Sequence, residues 1–376
     1  MTVDTPPEAF AAALAGLPGM GPARLAALLT AWPPAEAWSR VLAGTARRVL
    51  DPQAGPVAKA WRRAAAAVDM AALWKAQAAK GVTTAAWGCP GYPAVLHDDP
   101  EPPAVLFSRG NLASLDGRRV AIVGARRCTR YGRDVAYELG HDLAASGVRV
   151  VSGLALGIDG AAHRGALAAS AAPPVAVVGS GLDVFYPRSH ERLWAEVAEA
   201  GVVLSEAPLG APPEPWRFPV RNRIIAGLAE VVVVVESFHT GGSRHTVEAA
   251  ATRSRPVLAV PGPVRSPASD LPNALLAEGC HPARDALDVL VALNLEPDAL
   301  SRGPGADPRP PPSPSEAAVL DVLGWEPASF EQVVLSTGGS PAEVGLALAH
   351  LERDGWVAGR AGWWERVADA GGRRSV

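Results

Sequence analysis

The chain has 376 residues, 48% of them hydrophobic, and a formal charge of only −3. That length holds two or three domains with an ample core, and the charge excludes a molecule that holds nucleic acid by an overall positive field. Cys89, Cys128 and Cys280 lack paired metal spacing and argue against a secreted disulfide framework. With no signal-peptide pattern and no uninterrupted apolar span, a soluble cytoplasmic protein is expected.

Residues 1–114 carry 10 basic and 8 acidic side chains, residues 115–290 carry 18 of each, and residues 291–376 carry 7 against 12. A polyanion-binding surface is therefore a local patch in the first two regions. Residues 8–80 read as small Ala- and Leu-rich helices with Pro and Gly breaks, part of an N-terminal helical domain over 1–85. Within it, LPGMGPARL (17–25) places G-x-G between helices. Such a hairpin can offer backbone N–H groups to a phosphate. A tight turn using glycine's positive φ accounts for the same residues, and only Arg24 is adjacent.

From residue 104 the rhythm becomes strand–helix alternation. Apolar runs at 104–107, 120–123, 148–151, 175–178, 202–204, 231–235 and 257–260 predict strands. Helices are predicted at 132–145, 157–169, 189–200, 221–229 and 243–253. The pattern predicts an α/β protein with a Rossmann-like, doubly wound parallel sheet over 86–295, whose ligands sit beyond the carboxyl ends of the strands. Residues 304–314 (PGADPRPPPSP) belong to a Pro-rich linker, 296–314, that cannot pack as helix or strand. Helices at 315–323, 329–336 and 340–354, the second opened by a Ser329/Gln332 capping box, precede a hairpin at 356–367. Together they predict a winged-helix domain over 315–370. Its third helix is apolar and acidic, which suits partner docking or a structural role better than reading DNA.

Five loops carry chemistry. After the strand at 120–123, Arg126, Arg127 and Arg130 lie on a strand-to-helix loop, where the helix dipole favours anions. After 148–151, Asp159 and His163 share a helix face but have no nucleophile beside them, so a structural role is favoured over an acid/base pair. In the loop after 175–178, Gly179 and Gly181 start like a dinucleotide fingerprint, but Val184 stands where a third glycine is needed; close approach of the backbone to a phosphate fits better. Arg188 ends that loop. The segment WRFPVRNRIIAGL supplies Trp216, Phe218, Arg221, Asn222 and Arg223, suited to a flexible polyanion with exposed bases. Finally, Gly242, Ser243, Arg244 and Thr246 sit just ahead of a helix, a chemically reasonable phosphate cradle.

These motifs resemble the DNA-processing protein A family (DprA, also called Smf). VAIVGARRCTRYG, SGLALGIDGAAH, VVGSGLDVFYP, FPVRNRIIAGL, VVVVES…GGSRHT and VLAVPGPV follow its order over residues 104–265, and the likeness extends to both flanking domains. It implies a non-enzymatic homodimer, paired through the Rossmann domain, that protects incoming single-stranded DNA and loads the RecA recombinase during natural transformation. It implies no catalytic residue, cofactor, metal or membrane association. The family's first-strand arginine falls on Arg126, and its aromatic-plus-RNR segment on Phe218, Arg221, Asn222 and Arg223. Arg244 and His245 replace a Leu-Ile pair usual in the family, and Asn273 lacks the usual basic neighbour. On this reading Arg126, Arg188, Arg221, Arg223 and Arg244 hold phosphates, while Phe218 and Trp216 stack on bases. The competing reading is a nucleotide hydrolase using Asp159 or Glu236, and a third is a duplex-binding regulator acting through the winged helix.

Overall fold

The computed structural model describes residues 5–46, 55–295, 309–323, 327–360 and 362–367. It divides into two compact units, Met1–Ala299 and Leu300–Val376. Residues 296–308, most of the predicted linker, lie outside the described residues.

The first unit opens with α1 (Pro7–Ala15), α2 (Pro22–Ala31), α3 (Pro34–Ala43), α4 (Gly55–Ala65) and α5 (Met70–Ala79). Proline begins each of the first three, where a missing N–H costs nothing and the fixed φ already suits a helix. Gly44 closes α3 in the left-handed conformation, and Asp69 caps α5 by accepting from Ala72 N. Leu14, Leu28, Trp38 and Trp61 are buried among these helices, and the same apolar cluster runs on into Phe107, Leu182 and Trp194 of the sheet layer. The Trp61 indole also donates to Pro18 O at 2.8 Å, fixing the end of the G-x-G hairpin.

The sheet contains β1 (Thr83–Ala86), β2 (Val105–Gly110), β3 (Arg119–Val123), β4 (Arg149–Ser152), β5 (Val175–Val178), β6 (Val202–Ser205), β7 (Val231–Val234), β8 (Val257–Ala259) and β9 (His281–Pro282). Interleaved are α6 (Arg130–Ala145), α7 (Ile158–Ala169), α8 (Glu191–Ala200), α9 (Arg217–Leu228), α10 (Ser243–Thr252), α11 (Asp270–Ala277) and α12 (Ala286–Ala292). All seven predicted strands are present. Their valine-rich runs are buried throughout β5, β6 and β7, as strands covered on both faces require.

The spatial order is β1-β2-β6-β5-β4-β3-β7-β8-β9. From β3 the chain winds outward through β4, β5 and β6, then returns to the other side of β3 for β7, β8 and β9, all in parallel pairings. The carboxyl ends of β3 and β7 thus splay around a topological switch point, where α/β sheets place their ligands. Two details differ from the sequence expectation. The run at 104–107 pairs antiparallel to β6 and, with the unanticipated β1, forms an antiparallel flank. Helix α9 begins at Arg217, a turn ahead of 221, because Pro219 falls in its first turn and removes no helical hydrogen bond there.

In the second unit α13 (Pro314–Leu323), β10 (Ala328–Ser329), α14 (Phe330–Thr337), α15 (Pro341–Arg353), β11 (Val357–Arg360) and β12 (Trp363–Arg366) form the expected winged helix. Reciprocal capping boxes, Ser329 with Gln332 and Ser340 with Glu343, open α14 and α15. Val319, Leu323, Val333, Leu348, Leu351 and Val357 fill its core. Among the described residues no helix is long and apolar enough to cross a membrane.

The β4–α7 turn depends on Gly157, at φ +78°, where an added Cβ would stand 2.3 Å from Ala125 O of the neighbouring loop. Gly157→Ala is expected to cost roughly 2–4 kcal/mol through backbone strain and that collision. Urea unfolding of the two proteins, with unchanged m-value, measures it.

Candidate functional site

A cleft of about 490 Å³ opens at the switch point. It is lined by the β3–α6 loop (Gly124–Arg127), Asp159 of α7, Tyr186 after β5, one face of α9, Phe238 after β7, and the start of α10. On α9 the lining residues Phe218, Arg221, Asn222 and Ile225 recur at helical spacing, so a single stripe of the helix faces the cleft.

The stripe has distinct layers. Phe218 is at the rim, its ring 5.4 Å from that of Tyr186, with the Arg126 guanidinium 4.6 Å above its centroid. Arg126 and Arg127 are exposed, and neither has a carboxylate within ion-pair distance among the described residues. Arg221 is at the floor and 6% exposed. Its guanidinium donates to Gly153 O at 2.8 Å and to Val177 O, lies 3.8 Å from Asp159, and its Nε donates to the Asn222 side chain at 2.9 Å. Burial pulls the Arg221 pKa down to about 10, opposed by Asp159, and pushes that of Asp159 up, opposed by Arg221. The floor is therefore a neutral, internally bonded pair.

Helices α6, α7, α9 and α10 all start beside the cleft, and the first two already carry a protein carboxylate there. Glu236, 2% exposed, accepts from Thr129 N at 2.8 Å and Thr129 Oγ1 at 2.6 Å, so a protein carboxylate already occupies the start of α6. Asp159 places a second carboxylate in the first turn of α7. Helix α10 has no side-chain cap and no acidic residue in its first turn, and Gly241, Gly242, Ser243 and Thr246 all border the cleft. Asn222 Nδ2 donates to Gly242 O at 3.1 Å and locks that turn. An anion entering here meets the α10 dipole and the Arg126/Arg127 rim together.

The family model for DNA recombination-mediator protein A matches residues 83–294, and that for the DprA winged helix domain matches residues 303–362. The chain belongs to the DNA-processing protein A family. It is 36% identical over 287 residues to protein Smf of Escherichia coli, covering 74% of this chain and 76% of that protein. With a putative DNA processing protein DprA of Mycobacterium tuberculosis it shares 38% over 277 residues, covering 72% and 70%. The crystal structure of DprA from Streptococcus pneumoniae aligns with TM-score 0.64 at 32% identity, covering 76% of this chain and 96% of that one. A Helicobacter pylori DprA structure, described for its single-stranded DNA binding mode, aligns with TM-score 0.51 at 27% identity over 57% of this chain and 95% of that one.

Eight residues anticipated from the sequence line the cleft of this DprA-family protein: Arg126, Arg127, Phe218, Arg221, Asn222, Gly242, Ser243 and Thr246. Five do not. Gly179 lies beneath Phe218, 3.3 Å from the ring at an added Cβ, so it makes room for an aromatic side chain. A Cβ on Gly181 would meet Pro208 O at 2.5 Å; this glycine too serves internal packing. Arg188 is exposed outside the cleft. Arg223 points off the other side of α9 into an ion pair with Glu206 at 2.6 Å. Arg244 is exposed and paired with Glu248 at 3.2 Å, so the departure from the family's Leu-Ile pair falls outside the cleft. Trp216 faces a neighbouring groove. Conversely, Tyr186 and Phe238, 42% and 41% exposed, border the cleft without having been assigned a role. Both lie in loops that follow motif strands, β5 and β7, which was the available signal.

His163 stands behind this site on α7, fully buried, and burial holds its pKa down at about 3, opposed by a backbone hydrogen bond at Ser152. Unfolding restores an ordinary histidine that binds a proton more readily, so its contribution to stability is complete above about pH 6.5 and is lost as pH falls toward 3. Between pH 7 and pH 5 this one group is expected to remove about 2 kcal/mol. His163→Phe should flatten that part of the pH–stability curve, measured by chemical unfolding at each pH.

Proposed function

We propose that this protein binds single-stranded DNA in the switch-point cleft and acts in DNA processing as a mediator without chemical turnover. The observation that carries the reading is the rim: two exposed arginines with no ion pair among the described residues, one stacked on the half-buried Phe218, beside the uncapped start of α10. Phosphates meet Arg126, Arg127 and the α10 turn, and bases stack on Phe218 and Tyr186. Such stacking needs bases free of a duplex, so unpaired DNA is the favoured form. The family likeness supports loading of RecA on the bound strand during natural transformation, a cytoplasmic location and a homodimer. Leu287 and Val291, four residues apart on α12 and both exposed, offer an apolar contact for a second copy. Hydrolysis is disfavoured because Asp159 and Glu236 are buried, each tied to arginine or backbone donors, with no water-activating geometry facing the cleft.

Among the described residues Arg126 and Arg127 are the cleft-lining rim arginines with no ion pair, with Arg188 or Arg244 available at most as a third contact. The logarithm of the binding constant for oligothymidine is therefore expected to fall with the logarithm of salt at a slope between about −1.4 and −2 per protomer. Phe218→Ala should weaken binding by about 1–3 kcal/mol without altering the slope. Fluorescence anisotropy across a salt series reads both numbers, and equal affinity for duplex DNA would contradict the stacking role.

Arg223 provides the contrast. Removing it strands a carboxylate that is 9% exposed, so Arg223→Ala is expected to cost roughly 3 kcal/mol of folding stability. The salt slope of the folded protein should stay unchanged, as paired urea melts and DNA titrations would show.

A further inference from the structure

Trp216 precedes Phe218 by two residues yet faces elsewhere. Pro215 and Phe218 border the switch-point cleft, whereas Trp216 and Arg217 border a second groove of about 790 Å³. The two hollows therefore share the rib formed by residues 214–218. The far wall of the groove is the G-x-G hairpin of the N-terminal helices, including Gly19, Gly21 and Arg24. Trp216 is the one exposed tryptophan among the described residues of the first unit, at 43%. It is also held in place: the Arg217 guanidinium lies 4.5 Å over its ring and is anchored in turn by Glu214 at 3.0 Å. An indole clamped flat on one face and open to solvent is a stacking platform with little ordering entropy left to lose.

We infer that the groove is a second, length-dependent subsite for the same unpaired strand, in which a base leaving the switch-point cleft stacks on Trp216 while its backbone passes the hairpin wall. The inference rests on the single-strand reading of that cleft. Glu214 and Arg217 neutralise one another, and Arg24 makes its one hydrogen bond to Gly19 O at 2.7 Å, so the groove is close to neutral with a single cation at its edge. A near-neutral groove with a flat indole suits a base better than a run of phosphates. The glycines opposite keep side chains out of the way: an added Cβ at Gly21 would meet nothing within 4 Å. The subsite therefore adds stacking affinity with little salt dependence.

The test is a ladder of oligothymidines titrated against wild type, Trp216→Ala and Phe218→Ala. For a strand of about 16 nucleotides, Trp216→Ala is expected to weaken binding at least about fivefold, and Trp216→Phe to restore part of the loss. For a strand of about 4 nucleotides, too short to leave the first cleft, Trp216→Ala should match wild type within about twofold. Phe218→Ala should lose affinity at both lengths. An equal loss from Trp216→Ala at every length would place the indole in the first site, and no loss at any length would give the groove to another occupant, such as an apolar protein segment. Either result overturns the second subsite. Unchanged binding by Phe218→Ala at both lengths would instead overturn the reading of the cleft itself.

Discussion

The Arg221 guanidinium holds the switch point together. From the middle of α9 it reaches the carbonyls of Gly153, at the end of β4, and Val177, in β5, and faces Asp159 on α7. Its Nε steadies Asn222, which fastens the turn opening α10. A planar fork of five donors can serve that many acceptors at fixed angles; a lysine cannot. The surroundings are shaped to it: a Cβ at Gly153 would stand 2.1 Å from Nη2. The charge is tied into the floor of the cleft, where Arg221 is 6% exposed. Arg126 and Arg127 stand exposed at the rim above it.

This division explains what could be read in advance. The strands were legible because buried parallel strands are short unbroken valine and alanine runs, and these stand out between Gly-rich turns. β1 and β9 escaped because TTAA and the two residues His281–Pro282 carry no such run; the pairing partner makes them strands. The winged helix was legible through the Ser329/Gln332 capping box, which states in sequence where that helix begins; Ser340 with Glu343 opens the next helix in the same way.

The site was legible by loop and blurred by side chain. Motif position placed the β3–α6 loop, α9 and the α10 turn around one cleft. Sequence adjacency then grouped Arg221, Asn222 and Arg223, although 100° of helical turn per residue separates their directions. Starting the helical phase at Phe218 puts Arg221 and Asn222 on the cleft side and sends Arg223 to Glu206. What no pattern reveals is whether a cation already has a partner. Glu206 and Glu236 are far in sequence from Arg223 and Thr129, and only folding brings them together. Nor does a pattern reveal what a glycine makes room for: an added Cβ would stand 3.3 Å from the Phe218 ring at Gly179 and 2.5 Å from Pro208 O at Gly181.

The rim has one further property on the single-strand reading. Arg126 covers a face of Phe218 that a base would need, so the two contacts exclude one another. A guanidinium over a half-buried ring is worth about 0.5–2 kcal/mol, whereas each of its hydrogen bonds to a charged oxygen is worth about 1.5–3 kcal/mol. An arriving phosphate therefore outbids the ring for Arg126 and draws it aside, and the uncovered face accepts the base. Backbone and base are thus engaged in one movement: a free base without phosphate must displace the cation unaided, and a phosphate without base leaves an aromatic face wetted. Tyr186, 5.4 Å from Phe218 and tilted by 41°, forms a side wall against the ring. Discrimination for a polynucleotide over its separate parts then follows from a single arginine having to choose between two partners.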